Sequence, residues 1–320
     1  MRAVTCLHYG APDVLKITQV PRVAPGPGEI EIKVLTSTVN RTDTATLRAH
    51  PWFARAMTGW LRPRHSVSGM EFAGHVARVG DEVVEFAVGD RVFGMSPERF
   101  GSHAEYLILA AAGPVTHVPD GVALDEAVIC EGAWYANSTV KRLQPGQTAL
   151  IYGASGAIGT AALQLAKAYG ANVTAVVGGA QVELAQELGA DRVINYQAQD
   201  FTSISERFDL VFDAVGHTSW FACRRLLKPG GVFCATDLGP GWSNIWLGLW
   251  YGLTRSRRVR VPFPTDAPGF VRVLAGLMQT GYVRGVFDRR YPVEDVVEAF
   301  NYVETGQKIG IVRLDIGPIE

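Results

Sequence analysis

The stretch Ala149-Leu150-Ile151-Tyr152-Gly153-Ala154-Ser155-Gly156-Ala157-Ile158-Gly159 limits what this chain can fold into more than any other. A short apolar run ends in a glycine turn. Ile158, Ala161, Ala162, Leu165 and Ala166 then recur at i, i+3, i+4, i+7 and i+8, the spacing of one helical face. A strand that turns on glycine into a helix is half of a βαβ unit. In a nucleotide-binding unit, Gly153 would turn the chain sharply off the strand. Gly156 would let the backbone approach a pyrophosphate, and Gly159 would let the helix pack closely on the sheet. The helix N-terminus then offers free N–H groups to the phosphate. A glycine string alone can be no more than a tight turn. Here Ala171-Asn172-Val173-Thr174-Ala175-Val176-Val177 reads as a second strand after the helix, the context a dinucleotide site requires. The loop residues Gly153, Ala154, Ser155, Gly156, Ala157, Ile158 and Gly159 are therefore candidate cofactor ligands.

The pattern around this loop divides the chain. Residues 1 to about 120 read as β-rich, with Glu29 to Val34 alternating polar and apolar like a half-buried strand. From about 121 to 261, strands and helices alternate through Gln181–Leu188, Arg192–Tyr196 and Phe208–Asp213. A helix through Leu226 and a strand from Gly231 to Thr236 follow, with Lys228-Pro229-Gly230-Gly231 read as a helix stop and turn. That order implies an α/β fold with a doubly wound parallel sheet. The last part, 262–320, is expected to return to the first domain. A length of 320 residues suits two domains.

Composition removes several function classes. A net charge of −1 leaves no electrostatic footprint for nucleic acid. Cys6, Cys130, Cys223 and Cys234 are far apart, without the paired spacing of a zinc site or a disulfide framework, and fit reduced thiols in the cytoplasm. The N-terminus opens like a strand, with no evident secretory signal. The segment Leu238 to Leu253 is too short and too polar to span a membrane. Trp242, Trp246 and Trp250 recur there every four residues and would line one helical face, packed in the core, at a subunit interface, or over a substrate as a lid. The arginines at 62/64 and 255/257/258/260 read as solvated faces.

With these residues in place, the chain resembles the medium-chain dehydrogenase/reductase superfamily, in its zinc-free branch of quinone oxidoreductases and enoyl or 2-alkenal reductases. The marks run along the whole chain. They include Pro25-Gly26-Pro27-Gly28-Glu29, Val39-Asn40-x-x-Asp43, Gly69-x-Glu71-Phe72-Ala73-Gly74 and Val88-Gly89-Asp90-Arg91-Val92. Gly189-Ala190-Asp191-x-Val193-Ile194-Asn195-Tyr196, Phe212-Asp213-x-Val215-Gly216 and Asp288-Arg289-x-Tyr291-Pro292 complete them. The resemblance implies a GroES-like catalytic domain plus a Rossmann domain, an active site between them, hydride transfer from a nicotinamide that is usually NADPH, and a homodimer.

Zinc relatives hold a catalytic metal with Cys, His and Cys. Here those places read Asn40, Met70 of Gly69-Met70-Glu71, and Cys130-Glu131-Gly132, short of the three protein ligands a catalytic zinc needs. No metal is expected. His65, His75 and His103 read as hydrogen-bonded or exposed histidines. At the end of the second strand, Val177-Gly178-Gly179-Ala180 offers no acid for ribose hydroxyls and no base for a 2′-phosphate. NADPH is favoured, with NAD possible. Gly178, Gly179, Tyr196, Val215 and Gly216 join the candidate cofactor residues, Tyr196 by resemblance.

Reducing an activated C=C bond needs a positioned hydride donor, a polarised carbonyl and a proton. By resemblance Asn40 sits beside the nicotinamide, with Asp43 in the same motif; both residue types also cap turns. The segment Glu131-Gly132-Ala133-Trp134-Tyr135 supplies two further catalytic candidates. Glu131 in an apolar cleft would have a raised pKa and act as an acid, or else pair with a base or cap a helix. Tyr135 could donate a hydrogen bond to a carbonyl. The substrate expected is a small apolar, carbonyl-conjugated molecule. A zinc-free alcohol or ketone dehydrogenase and a non-catalytic NADP-binding protein are the competing readings.

Overall fold

A computed structural model describes residues 1–237, 239, 242–253 and 258–318, apart from the side chains of 54, 57, 245, 252 and 253. Leu238, Arg255 and Arg257, singled out above, lie outside the described residues. The first stretch carries β1 (Arg2–Thr5), β2 (Lys16–Gln19), β3 (Glu29–Val39), α1 (Arg41–Arg48) and α2 (Arg55–Thr58). It continues with β4 (Glu71–Val79), β5 (Arg91–Met95), β6 (Tyr106–Ala110) and β7 (Val115–His117). The middle carries α3 (Cys130–Val140), β8 (Thr148–Tyr152), α4 (Ala157–Ala168), β9 (Asn172–Val177), α5 (Val182–Glu187) and β10 (Arg192–Asn195). After it come β11 (Phe208–Asp213), α6 (Trp220–Cys223), β12 (Leu227–Ala235), α7 (Ser243–Leu253) and β13 (Val259–Arg260). The chain ends with α8 (Ala267–Gln279), β14 (Phe287–Pro292), α9 (Val296–Glu304) and β15 (Ile311–Asp315).

These elements form two compact units, Met1–Glu131 with Asp266–Gln279 and Arg284–Glu320, and Gly132–Thr265 with Thr280–Val283. In the first, a sheet of order β14-β15-β3-β4-β5-β7 is antiparallel except for the β14–β15 pair, and β6 adds to β3. Over Glu29–Val34 the strand β3 alternates as expected except at Glu31, which is buried, and from Leu35 to Val39 both faces are buried. Glu31 tolerates that position because Arg22 Nε donates to Oε1 at 2.9 Å and Arg78 Nε donates to Oε2 at 2.6 Å. These guanidinium groups outweigh burial and hold its carboxyl at about 2. Ile30, Ile32, Phe72, Phe300, Val312 and Leu314 centre the core below.

The second unit has a six-stranded parallel sheet in the order β10-β9-β8-β11-β12-β13. The order reverses direction between β8 and β11, and the loops leaving the C-terminal ends of these strands are where such sheets take ligands. Leu150, Val176, Val211 and Phe233 fill its core. Two local readings are corrected. The strand β12 begins at Leu227 and runs through the Lys228–Gly231 stretch read as a turn. It does so with a register shift against β11 between Phe208 and Leu210 and a left-handed Gly230 at φ 82°. And α7 turns its tryptophans outward, not into the core, since Leu247 and Tyr251 take the inward face.

Candidate active site

At the end of β3 the chain leaves the sheet at Asn40 and enters α1. The Asn40 N–H donates to Asp43 Oδ2 at 2.8 Å, so Asp43 caps the helix start. Asn40 and Asp43 share the capping box at the start of α1, so the loop-capping reading holds for both. The Asn40 Nδ2 lies 3.0 Å from each of Thr38 Oγ1, Glu71 Oε1 and Glu131 Oε2.

Glu71, on β4, is fully engaged. Its Oε1 accepts from Thr38 Oγ1 at 2.5 Å and its Oε2 from the Glu131 N–H at 2.9 Å. Three carboxyl groups, Asp43, Glu71 and Glu131, are therefore buried in one neighbourhood. Burial raises all three above the usual carboxylate range. For Glu131 the charge of Glu71 adds to burial, while bonds from Thr42 and Asn40 and the charge of Lys308 oppose it, leaving a carboxyl at about 7. Asp43 is pushed well up by burial and then by Glu131. Lys308, half-buried just before β15, feels Glu131, Glu71 and Asp288, but burial dominates and brings it down to about 8. Its Nζ donates to Gly310 O at 2.5 Å. Lys308 is a cation whose charge reaches Glu131 and that sequence reading misses; a lone lysine 177 positions from Glu131 carries no spacing signal.

Two acceptors in the cluster, Asn40 Oδ1 and Asp43 Oδ1, are buried without a hydrogen-bond partner among the described residues. Because Asn40 Nδ2 already faces three oxygens, the amide can offer a ligand only its oxygen. An unpaired buried acceptor of this kind costs about 1–3 kcal/mol until a donor arrives. Beside them His103 is buried, with Nε2 2.8 Å from Thr38 O and Nδ1 2.9 Å from Ser68 Oγ. A carbonyl only accepts, so Nε2 carries the proton and the Ser68 hydroxyl donates to Nδ1. Burial lowers the imidazole to about 4, and His103 stays neutral near pH 7. His103 is thus a hydrogen-bonded core histidine.

At the places where zinc relatives hold their metal, Met70 is buried where a histidine would stand and Asn40 presents its amide nitrogen to the carboxylates. Among the described residues no group of three His, Cys, Asp or Glu side chains could hold a metal ion.

In the second unit the glycine loop joins β8 to α4. Gly153 has φ 76°, and Gly159 lies so near that a Cβ there would fall 2.0 Å from Gly153 O. A Cβ on Gly156 would meet nothing of the protein nearer than 3.7 Å. One glycine thus closes the helix onto the strand, and another leaves the loop's outer side clear for a ligand, as a dinucleotide requires. The β9 exit is lined by neutral amides. Gln197 Oε1 accepts from the Gly179 N–H at 2.9 Å, and the Gln197 N–H donates to Asn195 Oδ1 at 2.9 Å. Tyr196 is exposed, its ring edge-on to Tyr152 at 6.1 Å. At the β11 exit, buried Asp213 accepts from Val215 N and Gly216 N through Oδ1 and from Thr218 N through Oδ2. Asp213 is quoted in the Phe212-Asp213-x-Val215-Gly216 mark but is not among the candidate site residues; its place at the strand end before Val215-Gly216 is the signal that could have added it. Tyr135 belongs to this second unit, half-buried and edge-on to Trp134.

Comparison with known proteins agrees with this architecture. Residues 26–120 match the alcohol dehydrogenase GroES-like domain and residues 188–312 the zinc-binding dehydrogenase family. The chain is 30% identical over 317 residues to a trans-enoyl reductase of Aspergillus terreus, covering 91% of this chain and 87% of the relative. It is also 30% identical over 325 residues to a mycocerosic acid synthase-like polyketide synthase of Mycobacterium tuberculosis. That match covers 94% of this chain but only 15% of that much longer protein. The quinone oxidoreductase structure from Coxiella burnetii shares the fold, with a TM-score of 0.83, 24% identity, and coverage of 98% of this chain and 99% of that one. The chain belongs to the medium-chain dehydrogenase/reductase superfamily, in its quinone and enoyl reductase-like branch. It is accordingly an oxidoreductase enzyme that uses a nicotinamide cofactor.

Proposed function

We propose that this enzyme is a zinc-independent reductase that uses NADPH to reduce an activated C=C bond, as in an enone or enal, or a quinone. The observation that carries the reading is Glu131, a buried carboxyl poised at about 7 and joined through Asn40 Nδ2 to Glu71. A general acid is most effective when its pKa lies near the working pH. The names of relatives, a trans-enoyl reductase and a quinone oxidoreductase among them, support the substrate class.

The loop from Gly153 to Gly159, with Gly178, Gly179, Tyr196, Val215 and Gly216, would hold the dinucleotide. No carboxylate stands between Ala171 and Val182 to repel a 2′-phosphate, which supports NADPH. When bound, the nicotinamide supplies the hydride, which goes to the β-carbon. The Glu131 O–H bond breaks as a C–H bond forms at the α-carbon, and solvent restores the proton. Asn40 Oδ1 accepts a hydrogen bond from a donor on cofactor or substrate. Asp43 holds Asn40 by its backbone N–H.

The test is turnover of enone, quinone and ketone panels with NADPH, by wild type and Glu131→Gln, across pH 5.5–9. Enone or quinone turnover that falls as pH rises through about 7 in the wild type, and drops about 10²–10⁴-fold in the variant, is expected for loss of a general acid. Turnover of ketones alone would move the chain to the alcohol dehydrogenase reading. Full activity in Glu131→Gln would remove Glu131 from the chemistry.

A further inference from the structure

We propose that Lys308 is the proton relay that reloads Glu131 from solvent after each turnover. It rests on the reading of Glu131 as the general acid, in which the spent carboxylate takes its proton back from solvent. Glu131, Glu71 and Asp43 are only 3%, 1% and 4% exposed, so a carboxylate left among them does not meet bulk water directly. Asn40 Nδ2, which joins Glu131 to Glu71, is an amide and gives up no proton near neutral pH. The topology brings Lys308 to this cluster. β15 runs antiparallel to β3 with Val312 opposite Val39, so Gly310 and Ile311 lie at the end of β3 where the chain turns into Asn40 and Arg41. Lys308 folds its side chain back onto that end, where Nζ donates to Gly310 O at 2.5 Å. On its other side the turn Thr305-Gly306-Gln307 is exposed and passes close to α1, since a Cβ on Gly306 would lie 3.8 Å from Arg41 Nη1. Asp288 pins this turn, its Oδ2 accepting from Tyr302 Oη at 2.5 Å and from the Ile309 N–H at 2.9 Å. Lys308 is half-buried, and its charge reaches Glu131 and Glu71. One ammonium group thus stands between water and a buried carboxyl, all within the first compact unit.

Once Glu131 has given its proton to the α-carbon, a Lys308 N–H bond breaks and a Glu131 O–H bond forms. The amine left behind is neutral, and water protonates it again. Burial brings Lys308 down to about 8, while burial and the charge of Glu71 bring Glu131 up to about 7. The two groups then differ about tenfold in proton affinity, and neither traps the proton. A lysine at the ordinary 10.5 would keep it. Of the other charged groups that act on Lys308, Arg41 cannot release a proton and Asp288 is occupied in pinning the turn. Thr42, half-exposed and bonded to Glu131, offers the rival route. Its hydroxyl can pass a proton only in step with a water on its far side, whereas an ammonium group stores one.

The test is stopped-flow reduction of the enone or enal that the panel above turns over fastest, in dilute buffer at about pH 6.5, where Glu131 starts mostly protonated. A single turnover, with enzyme in excess, uses the proton already on Glu131; later turnovers need it replaced. Lys308→Met and Lys308→Arg are both expected to keep the first turnover within about threefold and to lose at least about tenfold in kcat, because arginine keeps the charge but cannot be deprotonated. Imidazole, added as a small proton carrier, should restore most of that loss. Lys308→Arg carries the test alone if the methionine variant does not fold. Wild-type kcat in Lys308→Arg overturns the relay, since charge alone would then suffice. Equal losses in first and later turnovers, or a kcat that stays unchanged in Lys308→Met, overturn it too. Thr42→Val as the only slow variant moves the route to the hydroxyl. Glu131→Gln separates the two readings. A full first turnover in that variant removes the acid and the relay together, whereas a slow one beside wild-type lysine variants removes the relay alone.

Discussion

Asn40 Nδ2 has two protons and three oxygens around it, and two of those oxygens belong to buried carboxyl groups. Asn40→Asp keeps the shape and replaces this donor with an acceptor. Glu71 and Glu131 would then face a third oxygen, with no proton between them unless one is taken up. The variant is expected to lose about 3–5 kcal/mol, the range for breaking a buried charge-paired contact, and Asn40→Ala less. Urea unfolding at pH 8 measures both; an aspartate variant as stable as the wild type would show that Nδ2 does not bridge the carboxyls. The Val39-Asn40-x-x-Asp43 motif makes Asn40 and Asp43 legible as candidates by resemblance, and Glu131 is legible as an acid in a stretch expected to line the cleft. Their assembly is not legible. Glu71 and Glu131 stand 31 and 91 positions from Asn40, and only the pairing of β3 with β4 and the start of α3 bring them together.

Element-scale features are more legible, because periodicity and turn chemistry are local. The β8–loop–α4 unit follows from its apolar strand, its glycines and its helical face, and the structure assigns those glycines different work. Gly159→Ala would push a Cβ to 2.0 Å from Gly153 O and 2.8 Å from Ala154 Cα, parting the helix from the strand. Gly156→Ala meets only Gly153 O, at 3.7 Å. The first variant should lose about 1–3 kcal/mol, as overpacking does, and bind dinucleotide poorly as a consequence. The second should stay within about 1 kcal/mol of wild type, as a glycine-to-alanine change at a compatible φ does, yet lose about tenfold in NADPH affinity because its methyl faces the ligand. Calorimetric titration beside thermal unfolding separates them, and a stable Gly156→Ala with unchanged affinity would place the phosphate elsewhere. Where the local signal misleads, a long-range pairing overrides it. The start of β12 looks like a turn because Pro229, Gly230 and Gly231 are turn residues, but β11 recruits the stretch through an irregular register.

At the scale of the molecule, the buried groups set how stability depends on pH, and their signs differ. Glu131 is raised to about 7 from an ordinary 4.5, so between those values the folded state holds the proton longer and stability falls as pH rises. His103 is lowered to about 4 from 6.5, so the unfolded state takes the proton first and stability falls as pH drops through that window. Lys308, lowered to about 8 from 10.5, adds nothing to the change below pH 7, where it is charged in both states. Glu131→Gln removes the first of these contributions and also relieves Asp43 and Lys308 of the Glu131 charge, a smaller effect on the difference. The stability of the variant minus that of the wild type should therefore climb by about 2–3 kcal/mol from pH 4.5 to 7.5, at no more than about 1.4 kcal/mol per unit, and then level off. What remains in the variant is the rise from pH 4 to 6.5 owed to His103, opposed by the raised Asp43 and Glu71. Denaturant unfolding at half-unit intervals, compared between the two proteins, gives the difference curve directly. A flat difference across pH 4.5–7.5 would mean that Glu131 titrates like an exposed carboxylate, and the proton assigned to it in the reaction would then have to come from another group.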